Sequence, residues 1–147
     1  MSTVKVRIKR LRENAVLPAY KSTGAAAMDL SFAGEEPMTI AAGERKLVPT
    51  GIAISVPENT VAVVSARSGL SYREGITAAN GIGVIDSDYR GEVFFSALNT
   101  SDREYVIHPG DRVAQMMILP VCRAEITECD VLDETERGAG GFGSTGR

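Results

Sequence analysis

The period of the apolar residues constrains this chain more than any other feature. They recur at every second position in short runs, and turn-forming clusters end each run before it reaches helical length. Val4, Val6 and Ile8 alternate with Lys5, Arg7 and Lys9, and β-branched runs follow at 52–56 and 61–64, with further apolar runs at 92–98 and 113–119. Side chains two apart share one face of an extended backbone, so this pattern predicts half-buried strands. Ala42-Gly43-Glu44, Val56-Pro57-Glu58-Asn59, Asn80-Gly81, the stretch 99–102 and His108-Pro109-Gly110-Asp111 supply the turns. Many short strands with regular breaks predict an all-β fold, an antiparallel barrel or double-sheet jelly roll. At most one short helix fits, near 68–74, through Leu70 and Tyr72. There is no internal repeat.

A length of 147 residues suits one domain. Aromatic residues are only 5% and Trp is missing, so the core must be aliphatic. The net charge of −3 argues against a sequence-independent binder of polymeric nucleic acid, which needs a broad basic face. Cys122 and Cys129 form neither a disulfide framework nor a zinc pattern, and are expected as buried thiols in a reducing compartment. The N-terminus lacks the apolar core of a signal peptide, and no apolar run is long enough to cross a bilayer. The expectation is a soluble intracellular protein without a membrane partner, cytoplasmic, with the nucleus also open. The texture changes after Cys129, dividing a β domain (1–129) from a flexible glycine-rich arm (130–147).

Four segments set polar groups among small residues. In Arg67-Ser68-Gly69 a strand gives way to a short helix, where amides, a hydroxyl and a guanidinium could cradle an anion. The plainer alternative makes Ser68 an N-cap and leaves Arg67 solvated. From Asn80 to Gly91, glycines and β-branched residues suggest a hairpin whose backbone can approach a flat ligand closely. Asp86 and Asp88 would share a face if that stretch were extended, and Asp86, beside Ile85, is a candidate base towards water. In the run from Gly110 to Met117, alternation places Val113, Gln115 and Met117 on one face, and Gln115 needs a partner, backbone or ligand. The end of the chain combines Arg137, Phe142, Ser144 and Thr145 with glycines, either a frayed terminus or a cover for phosphate oxygens. His108, the only histidine, sits in a turn.

Taken in order, these segments resemble the five motifs of the trimeric deoxyuridine triphosphatase (dUTPase) family. Ala26-Ala27-Met28-Asp29-Leu30 resembles the first, Arg67-Ser68-Gly69 the second, 83–91 the third, 110–116 the fourth and 137–146 the fifth. The resemblance implies a jelly-roll-like subunit in a homotrimer whose active sites draw on several chains. It implies hydrolysis of dUTP to dUMP and pyrophosphate, with Mg²⁺ on the triphosphate. Asn80, Gly83, Val84 and Ile85 would read uracil, Tyr89 would pack under the deoxyribose, and Asp86 would hold the 3′-hydroxyl and activate the attacking water. Arg67, Ser68, Gly69 and Gln115 would bind phosphates, and Asp29 would touch the metal's waters. Arg137, Phe142, Gly143, Ser144 and Thr145 would close the site. Ala27, Met28 and Ala66 depart from the family's usual Gly, aromatic and Pro. Two alternatives share the fold, a non-catalytic nucleotide-binding module and a dCTP deaminase. The deaminase resemblance fails at Ser96, where that family carries a catalytic Glu.

Overall fold

A computed structural model describes residues 3–141. Its strands, all paired antiparallel, are β1 (Arg7–Arg10), β2 (Met28–Ser31), β3 (Met38–Ile40), β4 (Arg45–Ser55), β5 (Thr60–Ala66), β6 (Ile76–Ala78), β7 (Gly83–Ile85), β8 (Glu92–Asn99), β9 (Tyr105–Ile107) and β10 (Arg112–Pro120). The one helix among the described residues, α1 (Ser68–Glu74), lies where a short helix was expected. One four-stranded sheet has the order β1-β4-β8-β6, a second β2-β10-β5-β7, and β3 pairs with β9. This is the double-sheet all-β architecture that the alternation predicts. No helix among the described residues is long and apolar enough to cross a membrane.

Both four-stranded sheets turn their apolar faces to one core. On β8, Val93, Phe95 and Ala97 are buried while Phe94 and Ser96 point outward, the two-residue period made physical. Leu30, Phe32, Ile52, Ile76, Val113 and Met116 fill the same interior, which is aliphatic apart from Phe32 and Phe95. Asn99 is wholly buried with its amide spent. Its Nδ2 donates to the Ile40 and Arg103 carbonyls at 3.0 and 2.7 Å, and its Oδ1 accepts from Ser101 N and Oγ. That satisfied set ties β3 to the β8–β9 connection.

Three local expectations need correction. The stretch from Asn80 to Gly91 is no hairpin, because β7 pairs with β5 in one sheet and β8 with β4 and β6 in the other. The Asn80-Gly81 turn is a crossover between sheets. Val113 does not share a face with Gln115. The register shifts between Arg112 and Ala114, so Val113 and Ala114 are both buried, and Gln115 and Met117 sit on the outer side. Cys122 and Cys129 are exposed, since the segment after β10 packs against little of the chain.

The long strand β4 bends at a bulge, where pairing with β8 shifts between Pro49 and Ala53. Gly51 sits there at φ 69°. Glu92 fastens the bend: its Oε1 accepts the Gly51 amide at 2.8 Å, and its Oε2 pairs with Arg12 at 3.3 Å. Thr50 Oγ1 donates to the Val93 carbonyl beside it. A Cβ on Gly51 would stand 2.8 Å from the Cβ atoms of Ala15 and Ala33, whereas one on Gly43, at φ 73°, would meet nothing. Both Gly→Ala changes carry the left-handed backbone penalty of about 1–2 kcal/mol, and Gly51→Ala adds overpacking of about 1–3 kcal/mol. Urea unfolding should therefore show Gly51→Ala less stable than Gly43→Ala by at least about 1 kcal/mol. Equal losses would show that the close packing at the bulge is unimportant.

Candidate active site

Two polar centres stand out. The first is a cleft of about 270 Å³ between β7 and the outer face of β4 and β8, lined by Asn80, Gly83, Val84, Ile85, Asp86 and Tyr89 on one side. Leu47, Glu92, Val93, Phe94 and Ser96 line the other. As β7 is the outermost strand of its sheet, the N–H and C=O groups on its free edge have no strand partner. Such an edge can read a flat ligand's donors and acceptors as a neighbouring strand would. Gly83 lies so close to β5 that a Cβ there would be 3.3 Å from Val64.

Immediately after β7 the chain turns, the Tyr89 amide donating to the Asp86 carbonyl at 3.2 Å. The turn resolves the question of the two carboxylates. Asp86 lines the cleft with Asn80 and Tyr89, and Asp88 does not. Arg90 Nη1 donates to the Ser87 and Tyr89 carbonyls, both at 2.7 Å, closing the turn from outside. The Tyr89 hydroxyl donates to the Glu92 carbonyl at 3.0 Å. Ser96 faces this cleft, and the Glu92 carboxylate is already engaged by Gly51 and Arg12.

The second centre gathers where β5 ends beside β2 and β10. Asp29, on β2, has a side chain only 14% exposed, and both its oxygens are taken: Oδ1 by Arg67 Nε at 3.1 Å and Oδ2 by Arg112 Nη1 at 2.9 Å. Arg67 also donates through Nη1 to the Arg112 carbonyl at 3.1 Å. It occupies the N-cap position of α1 in extended conformation, with no side-chain cap, so Ser68 is the first helical residue rather than the cap. Gln115 opposes Asp29 in the β10–β2 register, and its Nε2 donates to Ser65 Oγ and the Ala66 carbonyl at 3.2 and 3.1 Å. Behind the guanidinium of Arg67 lies a cavity of about 260 Å³, lined also by Arg73, Tyr105, Asp111 and Arg112. Burial raises the Tyr105 hydroxyl above its ordinary range, with Asp111 and Glu74 adding to the effect and Arg67 opposing it. That phenol is neutral at physiological pH.

The fold thus brings Arg67, Ser68, Gly69, Gln115 and Asp29 together at one place, and Asn80, Gly83, Val84, Ile85, Asp86 and Tyr89 at another. It does not join the two. Ile85 lies opposite Ala62 near the start of β5, whereas Arg67 follows its end. At the usual rise per residue Asp86 and Arg67 stand about 20 Å apart. Arg137 is exposed, its Nε donating to the Gly140 carbonyl at 2.8 Å, and it lines neither cavity. Phe142, Gly143, Ser144 and Thr145 lie outside the described residues. Sequence reasoning passed over Arg112, Leu47 and Phe94. Phe94 was findable, because burial of Phe95 forces its neighbour outward.

Fold and site together define a double-sheet β protein with one cleft whose free strand edge suits a flat, hydrogen-bonding group and a separate guanidinium centre that suits an anion. The family model described as dUTPase matches residues 13–146, and the chain belongs to the dUTPase family. It is 45% identical over 146 residues to the deoxyuridine 5′-triphosphate nucleotidohydrolase of Syntrophotalea carbinolica, covering 99% of both chains. To the protein of that name from Rhizobium etli (strain CFN 42) it is 52% identical over 132 residues, 88% of this chain and 85% of the other. Among solved structures, it resembles the Staphylococcus bacteriophage 80alpha dUTPase with dUpNHpp, with a TM-score of 0.89 and 25% identity over 97% of this chain and 99% of that one.

The shared carboxylate makes a prediction that needs no substrate. Asp29→Ala should lower stability by about 1–2 kcal/mol, because two part-exposed guanidiniums lose their partner. In a double-mutant cycle with Arg67→Ala the two losses should couple by at least about 0.5 kcal/mol. Additive losses would mean that the pair contributes nothing.

Proposed function

We propose that this protein hydrolyses dUTP to dUMP and pyrophosphate, by attack of water on the α-phosphorus, in sites shared between the chains of a homotrimer. The observation that carries this reading is the Asn80–Tyr89 cleft: a free strand edge, the Asp86 carboxylate (that of Glu92 being held by Gly51 and Arg12) and an anchored aromatic ring around a nucleoside-sized space. Uracil fits the β7 edge, where cytosine would face mismatched donors and acceptors. Tyr89 packs under the sugar and leaves no room for a 2′-hydroxyl. Asp86 accepts the sugar 3′-hydroxyl and takes the proton of the attacking water. With Ser96 where a deaminase needs its Glu, and Glu92 held at the β4 bulge, the cleft offers an amine no second acid.

Because Arg67 stands about 20 Å from Asp86 along β5, the phosphate set comes from a neighbouring copy. There Arg67, Ser68, Gly69 and Gln115 hold the triphosphate and stabilise charge as pyrophosphate departs. The donor set suits Mg²⁺ carried by the substrate. No cluster of three metal-binding side chains exists among the described residues, and both Asp29 oxygens face guanidiniums. Such an ion would need no protein cage, and it would supply charge neutralisation at the triphosphate. Asp29 would then touch the ion only through water, and its firmer task is to orient Arg67. Arg137, Phe142, Gly143, Ser144 and Thr145 of the arm close over the nucleotide, Phe142 on the base and the rest on phosphates, excluding bulk water.

Purified protein given dUTP, dCTP and dTTP with Mg²⁺ should release pyrophosphate from dUTP alone. Asp86→Asn should lower kcat by about 10²–10⁴-fold, the usual worth of a general base. Intact trimers that release none from dUTP would turn the reading to a non-catalytic nucleotide-binding module. Removing 137–147 should cripple turnover while leaving the assembly folded, and near-normal turnover in that truncation would defeat the closing role of the arm.

A further inference from the structure

The ring of Tyr89 is fixed by its neighbours in a way that singles out Gly91. This residue has a negative φ, so its backbone is open to any amino acid, and no turn requires glycine there. What excludes a side chain is the ring. A Cβ on Gly91 would overlap the Tyr89 hydroxyl oxygen and Cζ and stand 3.1 Å from Cε2. The hydroxyl end of the ring therefore rests against the bare backbone at Gly91, with its hydroxyl delivered to the Glu92 carbonyl one residue further on. Arg90 holds the turn that carries the ring through the Ser87 and Tyr89 carbonyls. Glu92 is itself anchored through its carboxylate to Gly51 and Arg12, so the acceptor is attached to the body of the sheet rather than to a loose loop.

We infer that Gly91 is a specificity-determining residue, acting through Tyr89: the gap it leaves, with the Glu92 carbonyl, sets the plane of the ring and thereby the exclusion of ribonucleotides. The inference rests on the proposed packing of Tyr89 against deoxyribose. A ring free to tilt still offers apolar area, but it cannot present a fixed wall against one extra hydroxyl. Discrimination by sterics needs a rigid wall, since a pocket that yields by a few tenths of an ångström admits the larger ligand. Gly91 itself does not touch substrate. It is a positioning residue.

The test is a double-mutant cycle on kcat/KM for dUTP and for UTP, in Gly91→Ala, Tyr89→Ala and the double variant, with thermal midpoints recorded for each. Wild-type turnover of dUTP in the same assay separates failure of the proposed activity from failure of this inference. Gly91→Ala should lower the dUTP/UTP preference about tenfold or more, mainly through KM. In the Tyr89→Ala background the same change should have little further effect on the preference, as there is no ring left to displace. Tyr89→Phe, which keeps the ring and loses the hydroxyl donor, should erode the preference less than Tyr89→Ala. An unchanged preference in folded Gly91→Ala protein would overturn the inference. So would an equal effect of Gly91→Ala with and without the ring.

Discussion

Strand β5 sets the distance on which the functional account depends. It is hydrogen-bonded on both sides, to β10 from Ala114 to Pro120 and to β7 from Gly83 to Ile85. A strand held in this way is a spacer that cannot shorten. Its first half fixes β7 and so Asp86, and its end delivers Arg67 to Asp29. One nucleotide cannot reach Asp86 with its sugar and the same chain's Arg67 with its phosphates across about 20 Å of paired strand. In the proposed function a second copy of the chain resolves that conflict, each subunit supplying half a site at each end.

The two ends are stabilised by different physics. At the Arg67 end, charge organises the residues: one shielded carboxylate holds two guanidiniums with both oxygens. The arginines are thereby oriented without a substrate, which lowers the cost of ordering long side chains when an anion arrives. At the Asp86 end, shape does the organising. Glu92 links the β4 bulge, Arg12 and, through its carbonyl, the Tyr89 hydroxyl. The bulge that bends β4 and the ring that walls the cleft therefore share one residue.

How much of this was legible in the sequence follows from how local each determinant is. Alternation on β8 and β10 and the glycine turns gave the all-β class, and Ser68–Glu74 is the one short helix expected. β3, β6 and β9, of three residues each, are too short for a period to be visible. The crossover at Asn80-Gly81 looked like a hairpin because turn chemistry is local, whereas the choice of partner strand is settled by the tertiary fold. Val113 was misplaced by a bulge, which shifts the facing of a strand without changing its composition. The pairing of Asp29 with both Arg67 and Arg112 spans 38 and 83 positions of sequence, and no pattern in one chain announces such a contact. The residues of each motif are contiguous and so could be named from the sequence, whereas the gathering of Asp29, Arg67 and Gln115 into one cluster comes from the fold.

In the proposed function Asp86 and Arg67 serve one nucleotide from different chains. This sharing is tested most directly by mixing two proteins that are each inactive, Asp86→Asn and Arg67→Ala, after denaturing and refolding them together. Hybrid assemblies contain sites that pair an intact Asp86 from one chain with an intact Arg67 from another, so the mixture should regain dUTP hydrolysis in proportion to hybrid formation. Hybrids that form and remain as inactive as either parent at every mixing ratio would contradict the account and place both groups in a site within one chain.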